Sequence, residues 1–199
     1  MRAFTDERDA ATRDELWLCE HPSVYTLGQA GRREHVHAQG DIPLIETDRG
    51  GQVTWHGPGQ LVVYVLLDLR RAGYGIRELV ERLEGAVIDL LGVHGVEARG
   101  RRDAPGVYVG EAKVAALGLR VRRGCTYHGL ALNVDADLSP FAGIDPCGYR
   151  GMAVTRTLDL GVPGTLASLG EALLDHLGER LAPSRTAPPI SPLARPPTC

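Results

Sequence analysis

Apolar residues recur along this chain at two different periods, and the two divide it into helices and strands. Between residues 75 and 92, Ile76, Leu79, Val80, Leu83, Val87, Leu90 and Leu91 fall on one stripe with Arg77, Glu78, Glu81 and Arg82 opposite. That spacing predicts an amphipathic helix. A second stripe, Leu166, Leu169, Leu173, Leu177 and Leu181, predicts another over roughly 165–181, with Thr165 as its cap. The other apolar residues come in short runs. Leu16 to Cys19 and Val24 to Leu27 read as strands split by His21-Pro22, and residues 42–67 read as strand, loop and hairpin, the hairpin turning at Gly57-Pro58-Gly59. Residues 106–134 return to β character in three runs. Strands interrupted by two helices predict an α+β fold: a mixed or antiparallel sheet with helices packed on one face.

After Ala182 prolines crowd the sequence, which suits neither a helix nor a sheet ladder. Residues 1–182 are therefore expected to form a single domain and residues 183–199 a Pro-rich disordered tail. The composition of the 199-residue chain, 43% hydrophobic and 24% charged, is that of a globular domain. The longest apolar run, residues 61–67, is far short of the roughly 20 residues a membrane helix needs, and the charged N-terminus lacks an apolar signal region. A cytoplasmic location with no membrane partner is expected. A formal charge of -3 argues against binding nucleic acid through bulk charge. Arg120, Arg122 and Arg123, with Arg99, Arg101 and Arg102, still form a local basic cluster, either a solvated surface or a docking face for an acidic protein.

Three segments carry candidate chemistry. In residues 49–60, Arg49, Gly50, Gly51, Gln52, Val53, Thr54, Trp55 and His56 lead into the glycine-proline turn. Paired glycines let backbone amides approach a ligand carbonyl or phosphate, although an ordinary hairpin turn would use them too. The second segment holds Lys113, the sole lysine among 22 basic residues, followed by Ala116, Leu117 and Gly118. Arginine has taken the surface roles, so a retained lysine suits chemistry that a permanently charged guanidinium performs poorly. The third is Asp145-Pro146-Cys147-Gly148.

Cys19, Cys125, Cys147 and Cys199 show no Cys-x-x-Cys pairing, and disulfides are not expected. Cys19 and Cys125 lie in or beside apolar strands and Cys199 lies in the tail. Cys147, between proline and glycine in a loop, is the candidate nucleophile. A free thiol with a pKa near 8.5 is only a few per cent thiolate at neutral pH. Reaching half ionisation takes about 2 kcal/mol, and a cation about 4 Å away supplies something like 4 kcal/mol at an effective dielectric near 20. One well-placed ammonium suffices.

Together with Glu20-His21-Pro22, Tyr25-Thr26-Leu27-Gly28 and Tyr127-His128-Gly129-Leu130-Ala131-Leu132-Asn133, these segments resemble the lipoyl(octanoyl) transferase family over nearly the whole chain to Ala182. The resemblance implies the fold of biotin and lipoate protein ligases. It implies transfer of an octanoyl group from octanoyl-acyl carrier protein to a cysteine thioester, then to a lysine of a lipoyl domain in 2-oxoacid dehydrogenase E2 subunits or glycine cleavage H protein. Cys147 matches the acyl-carrying residue and Lys113 the lysine that activates it. Residues 49–56, Ala116 to Gly118 and Gly129, Leu130 and Ala131 match the substrate-binding stretches. No metal or ATP is implied, and a monomer is expected. His128 is either a second proton acceptor or a structural hydrogen-bonding group. Competing readings are an ATP-dependent ligase on the same fold and a non-catalytic partner-binding relative. Two departures stand out: the family has a further strand and helix before the segment matching Phe4-Thr5-Asp6, and Trp55 stands where it usually has tyrosine.

Overall fold

The computed structural model describes residues 1–182, the side chain of Cys147 excepted. The expected tail and Cys199 lie outside the described residues. The chain opens with helix α1 (Arg2–Glu7), then strands β1 (Glu15–Cys19), β2 (Val24–Leu27), β3 (Leu44–Glu46), β4 (Val53–His56) and β5 (Gln60–Leu66). Helices α2 (Leu69–Ala72) and α3 (Ile76–Val93) follow, then β6 (Arg99–Gly100), β7 (Gly106–Val109), β8 (Ala112–Arg122), β9 (Cys125–Asn133) and α4 (Leu166–Leu181).

The strands form two sheets. An antiparallel six-stranded sheet has the order β1-β5-β9-β8-β7-β6, and a three-stranded sheet has the order β3-β2-β4, with β2 parallel to β3 and antiparallel to β4. This is the α+β class expected. The expected hairpin is corrected: β4 pairs with β2 in the small sheet, whereas β5 pairs with β1 and β9 in the large one. Gly59, at φ +80, lets the chain cross from one sheet to the other, and a Cβ there would lie 2.5 Å from the Ala136 nitrogen.

Both predicted helices form within a residue of their expected ends. Leu79, Leu83, Val87 and Leu90 of α3 and Leu169, Leu173, Leu177 and Leu181 of α4 are buried against one face of the large sheet. Thr165 caps α4 by accepting from Ser168 N at 3.2 Å, and Ser168 Oγ accepts in return from Thr165 N at 2.9 Å. The period-2 alternation of β5 decides what the sheet does on each side. Leu61, Val63 and Val65 enter the helix-covered core, while Gln60, Val62 and Tyr64 face the small sheet. Among the described residues no helix is long and apolar enough to cross a membrane.

Candidate active site

Between the open face of the large sheet and the small sheet lies a mostly apolar cavity of about 270 Å³. Its floor is built from small residues. In the register of β8 with β9, Ala116 stands opposite Ala131 and Gly118 opposite Gly129. These positions leave space where larger side chains would fill it. Gly129 must be glycine for a second reason, since a Cβ there would fall 1.9 Å from the Val63 carbonyl oxygen. Leu117 and Leu130 complete this part of the wall.

Opposite the floor, Arg49, Gly51, Gln52, Val53, Thr54 and His56 also line the cavity. The Arg49 guanidinium is buried and holds the loop: Nε donates to Thr26 Oγ1 at 2.9 Å, and Nη2 to the carbonyls of Thr26 and Gln52 at 2.6 Å each. Gly50 and Trp55 are not part of the lining. The Gly50 amide donates to Leu119 O at 3.1 Å, and a Cβ on it would meet that same oxygen at 2.6 Å, which ties the loop to β8. Trp55 is buried in a second apolar cluster, edge-on to Phe141, with its indole N–H donated to Ser23 Oγ at 2.9 Å.

Lys113 and the turn that carries Cys147 come together on the wall of this cavity, although they stand 34 positions apart in sequence. Lys113 lines the cavity and is 4% exposed; Pro146, at the start of the 3-10 turn Pro146–Gly148, lines it too. Backbone pairing explains the meeting. Lys113 N donates to Ala153 O at 2.8 Å and Thr155 N to Lys113 O at 2.9 Å, so the segment just after the turn runs beside β8. The turn is pinned on its other side. Asp145 N donates to His35 O at 2.9 Å, and Asp145 Oδ2 lies 2.7 Å from His37 Nε2 and 3.4 Å from His35 Nδ1. These histidine contacts hold the Asp145 carboxyl below the usual carboxylate range, His37 contributing most. Gly148 adopts φ +76, a backbone that favours glycine, as the chain leaves the turn.

The histidines of the cavity are held neutral. Burial pulls His56 down to about 4, and it lowers His21 and His128 as well. A chain of amides orients His56: Asn133 Nδ2 donates to Thr155 O at 3.0 Å, Gln60 Nε2 to Asn133 Oδ1 at 2.9 Å, and Gln60 Oε1 lies 2.7 Å from His56 Nδ1. With Gln60 oriented in this way, the imidazole donates from Nδ1 and keeps Nε2 as an acceptor. His128 lines the cavity away from Lys113. It pairs with Leu119, six residues along β8 from Lys113, which is roughly 20 Å at 3.3 Å per residue. Its backbone has φ 60, its Nε2 is 2.9 Å from Asp48 Oδ1, and Tyr127 Oη donates to Asp48 Oδ2 at 2.5 Å. Burial pushes the Asp48 carboxyl up, but hydrogen bonds from Arg2, Tyr127 and His128 outweigh it and hold the group well below its ordinary range.

The basic cluster is engaged within the chain. Arg122 and Arg123 pair with Asp6, Arg120 donates to Gln29, Arg99 pairs with Glu111, Arg101 with Asp103 and Arg102 with Glu81. Inspection of the sequence missed Asp145, His35 and His37, whose roles depend on contacts between distant segments. It also missed Glu84, a carboxylate inside the apolar arc of α3, which could have been noticed there. Among the described residues no group of three or more His, Cys, Asp or Glu side chains could hold a metal ion.

A lipoyl protein ligase A/B catalytic domain matches residues 1–178. An octanoyltransferase of Thiobacillus denitrificans is 66% identical over 177 residues, covering 89% of this chain and 81% of the relative. One of Laribacter hongkongensis is 60% identical over 182 residues, covering 92% and 88%. Among solved structures, lipoate-protein ligase A bound with ATP superposes with a TM-score of 0.75 at 19% identity over 97% of this chain and 81% of its own. The biotin protein ligase of Aquifex aeolicus superposes at 0.51 and 14% identity over 78% and 68%. At such identities the structural likeness speaks for the fold alone.

Proposed function

The chain belongs to the lipoyl protein ligase A/B catalytic domain family, and from that premise we propose that it moves an octanoyl group from octanoyl-acyl carrier protein to Cys147, and from Cys147 to the lysine of a lipoyl domain. It is an acyltransferase, and octanoyl transfer in protein lipoylation is its reaction. One observation carries the mechanism: Lys113 and Pro146, the neighbour of Cys147, line one apolar cavity floored by glycine and alanine.

In this reading the Lys113 ammonium stabilises the Cys147 thiolate, which attacks the donor thioester carbonyl. The carbon–sulfur bond to the carrier breaks, and the departing thiolate takes a proton from Lys113. That leaves a Cys147 thioester and a neutral lysine amine. The acceptor amine then attacks the thioester, Cys147 leaves as thiolate, and Lys113 receives the amine's proton. The ammonium–thiolate pair is thereby restored. Exchange between thioesters is nearly balanced, whereas forming the amide makes the second step downhill. The acyl chain would lie over Ala116, Gly118, Gly129 and Ala131, each buried methylene contributing about 0.8 kcal/mol.

E2 and H-protein lipoyl domains are the acceptors we infer. One chain carries every part of this site, so we read the working unit as a monomer, in the cytoplasm where thiols stay reduced. The test is intact-mass measurement after incubation with octanoyl-acyl carrier protein and no ATP. One added octanoyl group is expected on the native chain and none on Cys147→Ser. Acylation of Cys147→Ser at the full rate would overturn the mechanism, and acylation that requires ATP would identify a ligase instead.

A further inference from the structure

Glu84 is an acidic residue on the buried face of α3. It is 8% exposed, among Leu83, Ala86 and Val87, all at 0%. A buried carboxylate is costly without compensating partners, and the fold supplies one at the first residue of β7. The Gly106 amide donates to Glu84 Oε1 at 2.8 Å. The surroundings are shaped for this contact. A Cβ at Gly100 would lie 2.4 Å from Glu84 Oε2, and one at Gly106, where φ is +149, would lie 2.6 Å from Ala115 O and 3.0 Å from Lys113 Cε. Side chains at either position would crowd the carboxylate or the lysine.

The peptide unit joining Pro105 to Gly106 has a second end. Its N–H goes to Glu84, and its carbonyl, Pro105 O, accepts from Lys113 Nζ at 3.3 Å. One rigid amide plane therefore stands between a buried carboxylate and the cation of the site. A negative charge at the N–H end polarises the amide and makes its oxygen a stronger acceptor for an ammonium. Neighbouring contacts keep the unit still. Tyr108 Oη donates to Ala104 O at 2.8 Å, and Lys113 Nζ lies 5.1 Å from the Tyr108 ring centroid.

We propose that Glu84 is a positioning residue for Lys113, acting through the peptide unit that joins Pro105 to Gly106. This rests on the reading of Lys113 as the activator of Cys147 and adds the source of its support. Burial raises the Glu84 carboxyl above its ordinary value; the Gly106 N–H lowers it, Glu81 adds to the rise, and Lys113 lowers it. The charged and titratable groups around it are Glu81, itself 3.6 Å from Arg102; Lys113 and Tyr108 from the sheet, with Arg101 over the Tyr108 ring; and Arg180 of α4, which lies over Gly85 and pairs with Asp89 at 2.6 Å.

The test substitutes Glu84→Gln, which keeps the shape and an acceptor for Gly106 but removes the charge. Two quantities are read: the pH midpoint of Cys147 alkylation, by intact mass, and octanoyl transfer kinetics. Loss of the charge is expected to move the midpoint upward and lower kcat about fivefold, with KM for octanoyl-acyl carrier protein within about twofold, as a charge-assisted hydrogen bond becomes neutral. A native midpoint in the folded variant overturns the proposal, whatever kcat does, because a merely structural role would not move the titration. Lys113→Met separates this failure from failure of the underlying mechanism. If Lys113→Met raises the midpoint and Glu84→Gln does not, the positioning role alone falls; if neither does, the Lys113 activation falls with it. Should Glu84→Gln not fold, the Gly106 amide proton of the native chain is followed by NMR against the Lys113→Met chain. A moved resonance supports the link through the peptide, and an unmoved one overturns it.

Discussion

The two faces of the large sheet are made by the same strands and obey opposite rules. Toward the helices, β5 presents Leu61, Val63 and Val65, none more than 1% exposed, and α3 and α4 answer with rows of leucine. Toward the small sheet, β8 and β9 present Ala116, Gly118, Gly129 and Ala131, and among the described residues no side chain fills the space above them. The first face is a close-packed core, where each lost methylene should be felt. The second keeps its side chains small so that another molecule's chain can supply the missing apolar contacts. Stability and catalysis are thus largely divided between the sides of one sheet, and substitutions that change apolar packing on each side should report mainly on one of them.

The largest effect on stability is expected from Leu173→Ala, at 0% exposure on α4. It should lower the unfolding free energy by about 2–5 kcal/mol in denaturant titration, while transfer by the folded fraction stays native. Ala131→Leu is its counterpart on the cavity floor. Filling the groove there should reduce kcat/KM for the octanoyl donor about ten- to hundredfold, worth roughly 1.4–2.8 kcal/mol, with little change in the melting temperature. If Ala131→Leu destabilised the protein as much as Leu173→Ala while sparing transfer, the division between the faces would be lost.

This division bears on what could be read from residues alone. Both main helices were legible because an apolar stripe of period 3.6 is a local signal, and Thr165 marked the start of α4 in the same way. The β4–β5 hairpin was misread because Gly57-Pro58-Gly59 looks alike whether the chain turns back on itself or crosses to another sheet. Pairing partners are set by distant strands, here β2 for one run and β1 with β9 for the other. Lys113 was conspicuous through its rarity and Cys147 through its loop. Asp145, His35 and His37 carried no comparable mark, since each acquires its role only when segments remote in sequence meet, and Glu84 was marked only by a charge inside the apolar arc of α3. Trp55 shows the reverse, a residue that sat among candidates by sequence and points into a separate apolar cluster.

Acid should weaken the cavity side first. His56, His21 and His128 all have folded values below the ordinary 6.5, His56 at about 4. Between these values the unfolded chain binds protons that the folded chain refuses, so stability is fully present above pH 6.5 and falls as the pH drops toward 4. His56 sits largely buried at the cavity wall, and its share is about 1–3 kcal/mol. The Asp48 contribution has a separate window: present above about pH 3.8, it is lost as pH falls through the group's lower folded value. Denaturant titrations from pH 7 to 4 should slope downward, and His56→Gln should flatten part of that slope. An unchanged slope would assign the acid sensitivity to other groups.

The smallest effect tests whether the helix layer acts only as scaffold. Thr165 and Ser168 exchange hydrogen bonds at the start of α4, satisfying amide groups that the first helical turn would otherwise leave unpaired. Both residues lie outside the cavity lining. Thr165→Ala should cost about 1 kcal/mol in denaturant titration and leave transfer kinetics native below the unfolding transition. The reason is geometric. The variant frays the first turn of α4, while Leu169 and Leu173 still pack on the sheet and β5, β8 and β9 keep their register. A fall in kcat without a larger loss of stability would mean that motion at the start of α4 reaches the cavity through the sheet, and the two faces would then be mechanically coupled.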